Sequence, residues 1–207
     1  MRARVAGRQR GVAVLICMMM LILVMLLGVS AAQLTLQGEK AARGERDRDV
    51  ALLAAEDALA DAERDIRGEG EGGGEGGGAR GAAFGADAGT AFAADCGAGG
   101  AAAQGLRTRA PDGVAPAWQT VDLSGVEDGG ACTVTHGAFT GASMPTGEGF
   151  LPFKKPRYLI ERMECHQPGE DASMSAASRY CYRVTVLGFG AKPSTEAVLQ
   201  SVYSKPE

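Results

Sequence analysis

The residues of this chain that could do chemistry are few: two histidines, five cysteines and scattered acidic side chains. Several of them crowd together at residues 161–166, where two glutamates precede Cys165 and His166. A cysteine close to a histidine could form a nucleophile and its base. Neighbouring residues of a strand, however, point to opposite faces, so these two side chains would not meet. We therefore interpret the cluster as polar residues at the end of a strand rather than as a catalytic site.

Other motifs that could indicate catalysis or a cofactor are weak. His136 has no acidic partner in a recognisable motif, and the chain contains no G-x-S-x-G, H-E-x-x-H or phosphate loop. Gly72, Gly74 and Gly77 have dinucleotide-site spacing, but no strand precedes them and no helix follows. The acidic residues that might bind calcium lack regular ligand spacing: Asp87, Asp95, Glu127 and Asp128. We expect no catalytic residue, no metal, no cofactor and no small-molecule substrate.

The charge of the chain is divided between a basic start and an acidic body. Four arginines precede residue 12, and the rest has 17 of the 21 basic residues against all 25 acidic ones. Nucleic acid requires clustered Lys and Arg, so an acidic body of this kind is a poor partner for it. Glycine supplies 31 of the 207 residues and aromatic residues only 5%. We expect a modest, loop-rich domain and no large enzyme.

An apolar run follows the arginines and predicts a membrane segment. Residues 12–32 carry no charge, and the next charge is Glu39. As a helix this run is about 30 Å long, enough to cross a bilayer core. The arginines predict a cytoplasmic N-terminus and a C-terminal body outside the cytoplasm. A cleaved secretory signal ending near residues 30–32 is the alternative, although the run is long for one. Cys17, which follows Ile16 in mid-membrane, does not fit a lipoprotein signal and is best interpreted as a small hydrophobe.

The helical pattern continues beyond the membrane segment. Residues 45–67 are rich in helix formers and contain neither Pro nor Gly. Apolar residues recur there at intervals of three and four and form one stripe: Leu52, Ala55, Leu59, Ala62 and Ile66. We predict one helix over residues 12–67. The stripe either docks on the chain's own domain or packs against helices of other subunits, and the pattern favours neither.

The rest of the chain divides into a linker and a β-rich head. Residues 68–105 contain 15 glycines, which predicts a flexible linker or surface loop. Residues 106–207 carry strand signals, bounded by Gly, Pro or Asp, at 118–123, 131–135, 157–162, 180–187 and 196–203. A small antiparallel sheet over the amphipathic half of the helix would bury both apolar faces. The predicted fold class is therefore α+β, with the long N-terminal helix packed against that sheet.

Four cysteines lie on the predicted exterior side, where disulfides form. Four cysteines allow three pairings. Cys165 ends one predicted strand and Cys181 begins the next, which favours a Cys165–Cys181 bond and leaves Cys96 with Cys132. A metal site is less consistent with the sequence because no Cys-x-x-Cys pair exists.

Arg10 and Gly11 stand directly before the apolar run, and an Ala- and Glu-rich helix follows the run at 48–59. This combination, which covers roughly residues 8–66, resembles the N-terminal region of the PilX-type minor pilins of type IV pilus assembly. It implies a pilin-like fold, with residues 1–11 as a cytoplasmic leader. It implies cleavage by prepilin peptidase between Gly11 and Val12, with N-methylation of Val12.

The same resemblance implies a non-catalytic role in starting or capping the pilus. The expected partners are other minor pilins, the pilus assembly platform and the inner membrane, with the head periplasmic. Most pilins have Glu at the fifth position after the cut, where this chain has Ile16. A tip subunit has no neighbour above it and would not need that carboxylate. GspK-like pseudopilins of type II secretion also lack it and remain an alternative, as does a membrane-anchored exterior enzyme or binding protein.

Overall fold

A computed structural model describes residues 10–69, 80–85, 91–95, 100–127, 130–165 and 179–205. The chain forms two compact units, Met1–Arg46 and Asp47–Glu207. The described part of the first unit is helical throughout, and its apolar side chains from Val12 to Leu36 are exposed. This part belongs to helix α1, Arg10–Arg67. The last 21 residues of α1, about six helical turns, lie in the second unit.

The second unit is built on a mixed sheet of five strands: β1 Leu106–Thr108, β2 Val134–Thr135, β3 Arg157–Cys165, β4 Arg179–Phe189 and β5 Glu196–Ser204. The main strand order is β1-β3-β4-β5, and β2 pairs with β3. The three long strands are antiparallel neighbours, with Tyr158 opposite Val186 and Val186 opposite Leu199. The α+β class with a long N-terminal helix is confirmed, but the sheet is not wholly antiparallel because β1 runs parallel to β3.

Two of the expected strands differ from the structure. Residues 118–123 do not form a strand, because a short helix α2, Ala117–Thr120, begins after Pro116 and turns follow it. The strand expected at 131–135 is reduced to the two residues of β2. Asp122 explains the turns, since its carboxylate accepts hydrogen bonds from the backbone N–H groups of Ser124, Val126 and Glu127. A side chain that bonds its own backbone in this way competes with strand pairing.

The core lies between α1 and one face of the sheet. From the strands it takes alternating side chains that include Tyr158, Ile160, Val184 and Val186. Short stretches of the Gly-rich region 68–105 also contribute to it. Phe84, at the end of a 3-10 turn, and Phe92 form edge-to-face and tilted ring contacts with Tyr182 at centroid distances of 5.4 and 5.9 Å. The described parts of that region are therefore packed, because their aromatic side chains gain more from burial than the glycine-rich backbone loses.

Candidate functional site: the interface between helix and sheet

Three aspartates on α1 are buried where the helix meets the head: Asp47, Asp61 and Asp65. Their separations of 14 and 4 residues are close to whole helical turns, so they share the face that packs on the sheet. A buried carboxylate is costly unless it is paired or hydrogen-bonded. Each of the three is satisfied by a different segment of the head, so together they form a three-point attachment.

Asp47 holds the connection between β4 and β5. One carboxylate oxygen accepts hydrogen bonds from the backbone N–H groups of Ala191 at 2.6 Å and Lys192 at 3.2 Å, and the other accepts one from the Thr195 hydroxyl. Burial raises the pKa of Asp47, but these hydrogen bonds and the nearby Lys192 charge outweigh it and the net pKa is lowered. The carboxylate is therefore held in its ionised form.

Asp61 holds the loop that follows β2. Its carboxylate accepts a hydrogen bond from the backbone N–H of Gly137 at 2.7 Å and one from the Thr140 hydroxyl. Gly137 has φ +76°, and a side chain there would collide with the carbonyl of Ala142. The tight turn that presents this N–H to Asp61 therefore requires glycine.

Asp65 forms a buried ion pair with Arg80. The Arg80 Nε lies 3.0 Å from both carboxylate oxygens, and the Tyr158 hydroxyl donates to Oδ2 at 2.9 Å. Arg80 Nη1 donates to the carbonyls of Ala102 and Gln104, and the guanidinium lies over the Phe139 ring at 3.7 Å. Burial raises the pKa of Asp65 in spite of the adjacent guanidinium. The network joins the helix, the Gly-rich region and β3.

The remainder of this helix face is made of five alanines and one isoleucine, all of them buried: Ala51, Ala54, Ala55, Ala58, Ala62 and Ile66. They allow close approach to the sheet. A Cβ at Gly188 of β4 would collide with the Ala51 carbonyl and lie 2.7 Å from the Ala55 backbone nitrogen. At Gly188 the backbone of β4 therefore contacts the backbone of α1, and only the absence of a side chain permits this contact.

The apolar stripe expected from the sequence lies partly on this face. Ala55, Ala62 and Ile66 are fully buried against the head, Leu59 is half-buried against it, and Leu52 is 38% exposed. Four of the five residues therefore pack within the chain itself, three of them fully buried. The sequence pattern did not reveal the aspartates, because a charged residue is normally assigned to the solvent face.

The cysteines do not form a nucleophilic site. Cys165 and Cys181 form a disulfide that joins the adjacent ends of β3 and β4. A cysteine in a disulfide has no thiolate with which to attack a substrate. Cys132 is disulfide-bonded as well, and its expected partner, Cys96, lies outside the described residues. Cys17 is free and exposed on the apolar part of α1.

Two other residues considered for chemistry are buried beside a charged side chain, and the rest are exposed or lie outside the described residues. Glu161 is buried, 2.8 Å from the Arg183 guanidinium, and His166 lies outside the described residues. His136 is buried with its Nε2 3.1 Å from Asp57, against α1. Within the described ranges no three His, Cys, Asp or Glu side chains are placed to hold a metal ion. Of the calcium candidates, Asp95 and Glu127 are exposed and Asp87 and Asp128 are outside the described residues.

Gly11 and Val12, the residues expected at the processing site, lie in the first turn of α1 and are exposed. From there the helix is long and apolar enough to cross a membrane once. The large apolar side chains of this run, from Val12 to Leu36, are exposed.

Two known families together match most of the chain. The family described as "Type IV pilus assembly protein PilX C-term" matches residues 81–205, and the family described as "PilX N-terminal" matches residues 10–60. No curated protein and no solved structure matches the chain. The two matches lie on the head and on α1, the two parts that the buried aspartates join. The chain therefore belongs to the PilX family of type IV pilus assembly proteins.

Proposed function

We propose that this chain is a minor pilin that helps to initiate or cap the type IV pilus by packing its helix against those of other pilins, without catalysis. The observation that carries the proposal is the apolar part of α1, whose side chains lie exposed over a length that can cross a membrane. Such a surface is stable in lipid before assembly and against sister helices afterwards.

Processing by prepilin peptidase would cut between Gly11 and Val12 and leave a methylated Val12 as the first residue. Before the cut, residues 1–11 lie in the cytoplasm, α1 crosses the inner membrane and the head is periplasmic, as the arginines before the apolar run indicate. The disulfide between Cys165 and Cys181 supports this location because the periplasm is an oxidising compartment.

The tip or initiator position is supported by Ile16. Most pilins have, at the fifth residue after the cut, the Glu that meets the amine of the neighbouring subunit, and PilX-type proteins resemble this chain in lacking it. Ile16 is 54% exposed on α1 and can accept no hydrogen bond from an amine. The proposal therefore places the subunit where no subunit lies above it.

The test is made on the native protein from membranes and from sheared pili. Terminal mass analysis should give methylated Val12 in both fractions, and the sheared pili should contain far fewer copies of this chain than of the major pilin. Loss of the chain should reduce the number of pili. An intact Met1, or a first residue near Gln33, contradicts the processing.

Ile16→Glu distinguishes a tip subunit from an internal one. At the tip, the new carboxylate meets no amine and costs about 2.5–3.5 kcal/mol in the membrane, so the membrane level of the protein should fall. Ile16→Leu is the matched control and should leave it unchanged. If Ile16→Glu instead raises the number of copies in sheared pili, the subunit occupies internal positions and the tip assignment is wrong.

A further inference from the structure

Strand β5 forms one edge of the sheet, and among the described residues it pairs with β4. The Gly190 N–H donates to the Thr195 carbonyl at 2.8 Å, which makes these two residues a hydrogen-bonded pair just before the strand. Hydrogen-bonded and non-hydrogen-bonded pairs alternate along an antiparallel ladder. The register of β5 with β4 is unbroken, so the backbone N–H and C=O groups of every second residue point away from β4: Glu196, Val198, Gln200, Val202 and Ser204.

This edge lacks the features that usually protect an edge strand from further pairing. Protected edges are very short, carry Lys or Pro, or are interrupted by a bulge. β5 has nine residues, none of which is Lys or Pro, and its register with β4 is continuous. The strand at the other end of the main order, β1, has three residues, and Ala93 forms a bridge to it. β5 is therefore the edge that is suited to accept another strand.

The exposed side chains of β5 indicate which kind of strand fits beside it. Val198 is 55% exposed and Val202 is 58% exposed, with Gln200 between them on the same side of the sheet. The Gln200 Nε2 donates to the Thr185 hydroxyl at 2.8 Å, which holds this amide on the sheet. Glu196 is the charged residue of β5 and is exposed. Because opposite side chains interact across a strand pair, a fitting strand has apolar residues opposite the valines, a polar one between them and Lys or Arg opposite Glu196.

We infer that β5 accepts an extended segment of another pilus subunit, which joins the five-stranded sheet as a further strand. Backbone hydrogen bonds hold a strand added in this way, and its alternate side chains determine which segment is accepted. The inference rests on the proposed function, which places this chain at the pilus tip with other subunits, and not a second copy, as its neighbours. It adds a contact made by the head to the packing of α1.

The test measures backbone hydrogen exchange in the full chain in a mild detergent, alone and with the other minor pilins of the same pilus system. The reporting amides are those of Val198, Gln200 and Val202, which point away from β4. The amides of Leu199 and Ser201, which point towards β4, are the internal control. We expect the reporting amides to exchange quickly in the chain alone and at least about tenfold more slowly in the complex, whereas the control amides should be slow in both.

Two variants remove the features on which the added strand depends. Val202→Pro removes an N–H that β4 does not use, and Val198→Lys places a charge where the added strand would pack. Each should weaken binding of the partner subunit by about tenfold or more, which is the factor that corresponds to the burial of one valine. Val114→Lys and Val126→Lys, at head positions that are 60% and 72% exposed, are matched controls and should leave the affinity unchanged. Urea unfolding followed by Trp118 fluorescence checks the fold, and Val198→Lys decides the matter if Val202→Pro is destabilised.

The other outcomes each overturn the inference in a recognisable way. A complex in which the reporting amides still exchange quickly excludes strand addition at β5. Protection that increases with the concentration of the chain alone identifies a second copy as the occupant and overturns the assignment to another subunit. If no complex forms, the inference is wrong. Methylated Val12 in sheared pili then shows that the proposed function still stands, whereas an intact Met1 shows that the proposed function fails as well.

Discussion

The ion pair between Asp65 and Arg80 provides the sharpest test of how the head is attached to α1. Both side chains are buried, at 4% and 1% exposure, and the Nε–H of Arg80 is shared between the two carboxylate oxygens of Asp65 at 3.0 Å from each. Asp65→Ala leaves the Arg80 charge buried without its counter-ion. Removing one partner of a buried pair costs about 3–5 kcal/mol, so we expect the free energy of unfolding of the head to fall by that amount.

The raised pKa of Asp65 indicates that burial destabilises the ionised carboxylate more than the Arg80 charge stabilises it. A pair of this kind contributes little beyond what apolar residues would, although breaking it is costly. The double variant Asp65→Ala with Arg80→Met should therefore cost no more than either single variant, so the coupling energy should be at least the cost of Asp65→Ala alone, about 3–5 kcal/mol. Tyr158→Phe removes only one hydrogen bond to a carboxylate that keeps Arg80, and should cost about 1 kcal/mol.

The assay is urea unfolding of the full chain in a mild detergent, followed by the fluorescence of Trp118, the single tryptophan, which lies in α2 of the head. The free energies of unfolding of the parent, the two single variants Asp65→Ala and Arg80→Met, and their double variant complete a double-mutant cycle. Tyr158→Phe is measured beside the cycle as an independent comparison. Additive costs in the double variant, or an Asp65→Ala cost below that of Tyr158→Phe, would refute the ion pair as the attachment of α1 to the Gly-rich region.

Three further outcomes are expected in the same assay. Gly188→Ala should cost more than about 2 kcal/mol because the added Cβ forces α1 away from β4, whereas Gly44→Ala, with no atom within 4 Å of its Cβ, should not lower the free energy of unfolding. Hydrogen bonds lower the pKa of Asp122 to about 2, below its ordinary 3.8, so its stabilising effect is present above pH 3.8 and disappears as the pH falls through 2. Asp122→Asn should therefore destabilise the head at pH 7 and not at pH 2; an equal loss at both would contradict the carboxylate's role. Replacing Cys165 and Cys181 by Ser should cost about 3 kcal/mol relative to the oxidised parent for a loop of this length, and reducing the parent with dithiothreitol should cost at least as much because it also opens the disulfide of Cys132.

The long elements were predictable because their patterns are continuous. The apolar run and the Ala-rich stripe predicted α1, and the alternation of Tyr180, Tyr182, Val184 and Val186 predicted β4. β1 was missed because three residues show no usable period, and its parallel partner β3 is more than fifty residues away in sequence. Pairing at that distance depends on tertiary packing and leaves no local signal.

The site was harder to predict than the fold. Asp47, Asp61 and Asp65 occur among many charged residues of a helix whose sequence is uniformly rich in charge. The donors that satisfy Asp47 and Asp61 lie 76 to 148 positions away, such as Gly137 for Asp61 and Thr195 for Asp47, and only Arg80 lies near its partner Asp65, 15 positions along the chain. The signal that could have revealed the aspartates is their spacing, which places all three carboxylates on the side of the helix that also carries Ala55 and Ala62.

The carboxylates and the alanines have complementary roles in fixing the head on α1. An alanine face buries only a methyl group at each position, about 0.8 kcal/mol each, and its uniform shape would accept the sheet in more than one register. Sliding α1 by one turn moves each carboxylate about 5.4 Å from its own donors. Asp61 and Asp65 are one turn apart, so one of them can reach the donors of the other, and at least two buried charges are left unsatisfied. The aspartates therefore select one register among those that the alanine face alone would accept. In the proposed function, in which α1 packs against the helices of other pilins, a slip of the head along α1 would misplace the head relative to its neighbours.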